Sequence, residues 1–108
     1  MDFNEYQKLA QRTSSTITAS DKLENGLMGL NGESGEAIDV LKKYLFQGHE
    51  LDRTKLKEEL SDILWYMAET ATGLNLELES VARYNIEKLK TRYPDGFDTE
   101  KSINRAGR

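Results

Sequence analysis

Along most of the chain apolar residues return at alternating steps of three and four, the period of helices that bury one face. Phe3, Tyr6, Leu9 and Ala10 share a face behind an Asp2/Glu5 capping box, which predicts a first helix over about residues 2 to 15. The stretch TSSTITAS, rich in hydroxyl and β-branched residues, reads as the connection that follows. A second box, Asp21 with Glu24, opens a long helix to about Phe46, closed by Gly48. Its Leu23, Leu27, Leu30, Ser34, Ala37, Leu41 and Tyr44 form a stripe expected to face a bundle interior. After the polar segment GHELDRT, Leu56, Leu60, Ile63, Leu64, Met67, Ala71 and Leu74 predict a third helix from about Thr54, ended by Gly73 and Asn75. A fourth, about Leu76 to Tyr93, turns Leu78, Val81, Ala82, Ile86 and Leu89 inward and stops at Pro94 and Gly96. The expectation is an all-α bundle of about four helices with antiparallel neighbours, completed by oligomerisation. Residues 1–97 read as one helical domain and residues 98–108 as a polar, flexible tail.

Composition narrows what such a bundle does. A chain of 108 residues with 37% hydrophobic and 31% charged residues is soluble in character and lean in core material, so burial against a second copy is a natural supplement. Cysteine is absent, which removes disulfides and thiolate metal sites. The opening MDFNEYQKLAQR is polar, and no apolar run is long enough to span a bilayer, so the expected location is cytoplasmic with no membrane partner. A net charge of −4 argues against a nucleic-acid polymer as ligand, because a phosphate backbone seeks a basic surface. A small phosphorylated ligand remains compatible if a cation bridges it to the protein.

The candidate chemistry lies in two carboxylate pairs. Glu33 and Glu36 stand three residues apart on the second predicted helix, and Glu59 and Asp62 repeat that spacing on the third. Each acid falls one residue before a core position, on the flank of its apolar stripe. Antiparallel packing of the stripes would bring the flanks together and converge four negative charges, an arrangement that persists only with protons or cations. A surface helix often carries Glu-x-x-Glu by chance, and one such pair would mean little. Two pairs in the same relation to their stripes carry more weight. The all-oxygen donor set favours Mg²⁺, with Mn²⁺ as substitute, over zinc, and the Glu-x-x-His of a di-iron site is absent.

Four glycines, Gly26, Gly29, Gly32 and Gly35, weaken the second helix by roughly 1 kcal/mol each relative to alanine, which calls for close approach of a helix or a ligand. Lys43, two turns beyond Glu36, and Asn85, Lys88 and Arg92, which share a face of the fourth helix, suit phosphate oxygens. Taken singly each of these cations is an ordinary solvated charge. Tyr66, one turn after Asp62, is a candidate for stacking on a base or ribose, whereas Trp65 reads as a core or interface residue and His49 as a loop residue.

Glu-x-x-Glu, a spacer of about two dozen residues and Glu-x-x-Asp together resemble the signature of the MazG-like, all-α nucleoside triphosphate pyrophosphohydrolases. The runs GLNGESGEAIDVLKK, KEELSDILWYMAE and NIEKLKTRYPDGF extend the resemblance over roughly residues 22 to 97. It implies that Glu33, Glu36, Glu59 and Asp62 bind Mg²⁺ and carry catalysis, that Asn85 and Lys88 contact phosphate, and that Tyr66 lies near the nucleotide. It also implies dimers, or tetramers made of two dimers. The reaction implied is attack of water on the α-phosphorus of a (d)NTP, releasing (d)NMP and pyrophosphate, with Glu33 and Glu36 both open as general base. The competing expectations are a non-catalytic helical module that binds a nucleotide or a protein, and a pyrophosphatase specific for dUTP or dCTP.

Overall fold

The computed structural model describes residues 1–104. Five helices account for its regular structure, with no strand among the described residues: α1 (Phe3–Gln11), α2 (Ala19–Phe46), α3 (Arg53–Gly73), α4 (Leu78–Arg92) and α5 (Thr99–Asn104). No helix is long and apolar enough to cross a membrane among those residues. The chain forms two compact units, Met1–Leu78 with α1, α2 and α3, and Glu79 onward with α4 and α5.

Local chemistry explains where the helices begin and end. Asp2 caps α1 by accepting the Glu5 amide at 2.8 Å, as its position in the capping box predicts. The helix stops at Gln11, short of the expected boundary. The next residues spend their polar groups elsewhere: the Thr13 hydroxyl donates to the Ala10 carbonyl at 2.8 Å, and the Ser14 and Thr16 hydroxyls go to Glu69. Helix α2 starts at Ala19 rather than at an Asp21 cap. Thr18 is the cap, accepting the Asp21 amide at 3.1 Å, so Asp21 is an acid of the first turn instead. Helix α3 closes as Gly73 and Asn75 predict. Asn75 takes φ 57°, while the Leu76 amide returns to the Ala71 carbonyl at 2.8 Å and the Asn75 amide to Thr72 at 3.0 Å. The stretch after Phe97, expected to be a flexible tail, contains α5, capped by Asp98 through the Lys101 amide at 3.0 Å. Its last residues, 105–108, lie outside the described residues.

Helices α2 and α3 pack antiparallel, but not through their leucine stripes. The residues that meet are small or polar. A Cβ on Gly26 would overlap Thr70, one on Gly29 would overlap the Tyr66 ring, and one on Gly73 would come within 3.0 Å of the Ala19 carbonyl. These contacts run in opposite order along the two helices, with the start of α2 beside the end of α3. The buried residues of α3 are Glu59, Ala68, Glu69 and Ala71, whereas Leu27, Ile38 and Leu41 of α2 and Leu60 and Met67 of α3 remain exposed. Backbones come closest where side chains are smallest, so the glycine-bearing flank became the contact face. The expected inward stripes are split: Leu27, Leu41, Leu60, Met67 and Leu74 are exposed, while Leu23, Leu30, Leu56, Ile63 and Leu64 are half-buried and Ala71 is buried. Helix α1 lies on α3, where Ala10, Ala68, Ala71 and Leu78 make a small core flanked by Tyr6, Leu64 and Trp65.

Glu69 ties this unit together. Its side chain is fully buried and accepts hydrogen bonds from Gln11 at 2.9 Å, Ser14 at 2.8 Å, Thr16 at 2.9 Å and Asn25 at 3.0 Å, with the Lys22 ammonium 3.6 Å away. Burial alone would raise its pKa, yet these donors overcome that and hold it down to about 2. One carboxylate thereby joins α1, the connection after it, α2 and α3.

Candidate functional site

Because α2 and α3 meet along the flank that carries the acids, the carboxylates of the two helices converge. Ligand oxygens of Glu33, Glu59 and Asp62 all lie within 4.8 Å of one another. Glu59 is buried, Glu33 half-buried and Asp62 exposed, so the cluster opens to solvent on one side. Glu36 stands outside this triad, on an exposed position, yet near enough to interact with the carboxylates of both Glu33 and Glu59.

The electrostatics follow from crowding. Glu33 is pushed up to about 7, first because its hydrogen bond to Glu59 retains a proton, then through burial, then through the charges of Glu36, Glu59 and Asp62. Glu59 is held below the ordinary carboxylate range, first by that same bond and then by the Lys55 ammonium at 3.1 Å. The Tyr6 phenol of α1 is raised by burial and then by Asp62, which brings α1 into the surroundings of the site.

The donor chemistry fits a hard divalent cation. All three clustered ligands are carboxylate oxygens, and Glu33 Oε2 and Glu59 Oε2 are buried without a hydrogen-bond partner. An orphaned buried acceptor in a ring of like charge is stabilised by a shared cation more directly than by any neutral donor.

Two concavities adjoin the acids. A groove of about 750 Å³ is lined by Gly32, Gly35, Glu36, Lys43, His49 and Lys55 among others. The four glycines thus divide in function: Gly26 and Gly29 admit α3, whereas a Cβ on Gly32 or Gly35 would meet nothing within 4 Å, which leaves that side of α2 open toward the groove. Lys43 lines it while paired with Asp39 at 3.1 Å, and His49, expected to be a simple loop residue, lines it too. A smaller pocket of about 340 Å³ is bounded by Glu33, Asp62, Trp65 and Tyr66. There Tyr66 lies against Gly29 and meets Trp65 edge-on, ring centroids 5.1 Å apart. Trp65 is anchored to α1, its indole Nε1 donating to Thr13 Oγ1 at 2.9 Å and the Ala10 carbonyl at 3.1 Å. Asn85, Lys88 and Arg92 lie on α4, in the second unit.

Three residues escaped sequence reasoning. Glu69 and Lys55 look like ordinary helix charges in the sequence, and Tyr6 like a core aromatic. The signal for Glu69 was its phase, since Glu59, Asp62, Tyr66, Glu69 and Gly73 recur at steps of three and four as regularly as the leucines do. Nothing in the sequence marks Lys55 or Tyr6.

The MazG nucleotide pyrophosphohydrolase domain matches residues 22–97, a span holding both carboxylate pairs and most of the chain. The chain belongs to the MazG nucleotide pyrophosphohydrolase domain family. A relative, the Gene 37 protein of Mycobacterium phage L5, is 35% identical over 82 residues, covering 72% of each chain. No solved structure matches the chain.

Proposed function

We propose that the protein is a Mg²⁺-dependent pyrophosphohydrolase that converts a (d)NTP into (d)NMP and pyrophosphate. The observation that carries this is the convergence of Glu33, Glu59 and Asp62 from two helices, with two buried oxygens unpartnered, in a chain of this family. Glu33, Glu59 and Asp62 would hold Mg²⁺, or Mn²⁺ in its place, with Glu36 contributing from the rim. An ion held there would supply charge neutralisation for the triphosphate and polarisation of its phosphoryl oxygens.

The remaining work falls to the chain's own residues. Glu36, exposed beside the groove and outside the triad, and Glu33, raised to about 7, are the two carboxylates proposed to take a proton from the attacking water. Lys43 is proposed to hold a phosphate oxygen from the groove, and Asn85, Lys88 and Arg92, which share a face of α4, are each proposed as phosphate contacts on their own chemistry. Tyr66 is proposed to contact the base or ribose from the pocket it shares with Glu33 and Asp62. A second copy of the chain is proposed to cover Leu27, Ile38 and Leu41 of α2 and Leu60 and Met67 of α3, because large apolar side chains left exposed favour association. The proposed location is the cytoplasm.

The test is incubation of the purified chain with a panel of dNTPs and NTPs in the presence and absence of Mg²⁺, with products resolved chromatographically. Metal-dependent release of pyrophosphate and monophosphate from at least one nucleotide is expected. Binding of nucleotide without turnover across the panel would instead identify a non-catalytic module, and turnover restricted to dUTP or dCTP would identify a specialised pyrophosphatase.

A further inference from the structure

Lys55 occupies a position that helix stability does not explain. It lies in the first turn of α3, where the helix dipole disfavours positive charge, and that turn carries no acid. Its partner Glu59 follows it at i+4, the less favourable order for such a pair. Yet its Nζ reaches Glu59 Oε1 at 3.1 Å and Glu58 Oε2 at 3.3 Å. Glu59 has only 2% of its side chain exposed and Lys55 has 48%, so the ammonium enters the acid cluster from outside. The outside is the groove, which Lys55 lines together with Glu36 and Lys43. Lys43 is engaged by Asp39, an acid outside the triad, whereas Lys55 is engaged by a triad member.

A divalent cation held by Glu59 competes with the ammonium for the same carboxylate, and two like charges on one acceptor repel. The long lysine stem offers a low-cost way out, by rotation into the groove. We infer that Lys55 is a substrate-positioning residue that acts as an exchangeable counter-ion: it neutralises Glu59 when no divalent cation is present and, once one is, turns into the groove to hold a phosphate oxygen of the triphosphate. This rests on the hydrolase proposal for the same site. Cation loading and phosphate capture become linked, because the charge that the metal displaces is the one that the polyphosphate receives.

The test compares wild type with Lys55→Met and Lys55→Arg. Affinity for magnesium chloride alone is measured by calorimetry, affinity for the α,β-methylene analogues of four dNTPs with Mg²⁺ present by the same method, and turnover separately. Lys55→Met is expected to bind Mg²⁺ alone several-fold more tightly, having lost the competitor. The same variant is expected to bind the analogue roughly tenfold or more weakly, with KM raised more than kcat is lowered, and Lys55→Arg is expected to restore most of the analogue affinity. Unchanged analogue affinity in Lys55→Met overturns the inference while leaving the hydrolase proposal intact. Weakened Mg²⁺ binding in Lys55→Met also overturns it. If wild type binds the analogues but turns over no dNTP, the hydrolase proposal fails and the binding ratios still decide the role of Lys55. If wild type binds no analogue, both fail.

Discussion

Glu69→Ala removes the acceptor on which four side chains and one ammonium converge, and the structure sets the scale of the loss. The fall of the Glu69 pKa from 4.5 to about 2 corresponds to on the order of 3 kcal/mol in favour of the charged, folded form. Truncation leaves Gln11, Ser14, Thr16, Asn25 and Lys22 facing a space without an acceptor, and breaking a buried ionic network of this kind costs about 3 to 5 kcal/mol. For a chain of this size the expected fall in Tm at pH 7 is roughly 12 to 24 °C for a loss of 3 kcal/mol. The sign with pH follows from the depressed pKa: the contribution is fully present above the unfolded value near 4.5 and is lost as pH falls toward 2. Far-UV circular dichroism melts of wild type and Glu69→Ala at pH 7 and pH 3 measure both quantities. The stability difference is expected to narrow on acidification. A loss below about 1 kcal/mol at pH 7, or one of equal size at both pH values, would refute the argument that the charged form of Glu69 secures the unit.

Glu33, whose pKa is raised to about 7, binds a proton in the folded state that the unfolded chain has already released, so apo stability is expected to fall as pH rises from about 4.5 to 7. Mg²⁺ affinity is expected to rise over the upper part of the same window, since the cation must displace that proton, and Glu33→Gln should abolish both trends in melts and calorimetry. Glu36→Gln is expected to raise apo stability by relieving like-charge repulsion while weakening Mg²⁺ binding and abolishing pyrophosphate release; full activity in this variant counts against the assigned site. Gly26→Ala drives a methyl group into Thr70 and should destabilise, whereas Gly32→Ala enters open space and is expected to stabilise the apo protein by up to about 1 kcal/mol, the two being compared by urea unfolding. Leu41→Glu on the exposed face of α2 is expected to lower the mass found by sedimentation equilibrium, and an unchanged mass would place the contact between copies elsewhere.

The sequence announces helices more clearly than it announces which way they face. Periodicity, the Asp2 cap and the Gly73–Asn75 stop all correspond to observed features, because each depends on neighbours close in the chain. The direction of α2 and α3 depends instead on which of two regular stripes lets the backbones approach. Leu23, Leu27, Leu30 and Leu41 advertise burial, yet Gly26, Gly29 and Gly73 permit the closer contact, and the acids on that flank come with it. Packing along that flank brings Glu33, Glu59 and Asp62 together and leaves Glu36 lining the adjoining groove. Lys55 and Tyr6 were invisible for a different reason: their approach to the acids is through space, from the first turn of α3 and from α1, with no motif to mark it.

Manganese binding followed by electron paramagnetic resonance, on wild type, Glu33→Gln and Asp62→Asn, reads the sharing of one cation by two helices without reliance on turnover. Wild type is expected to bind Mn²⁺, and each variant, one on α2 and one on α3, to bind it at least about tenfold more weakly, as loss of a direct ligand requires. Binding that survives both substitutions, or that depends on one helix alone, would contradict the account.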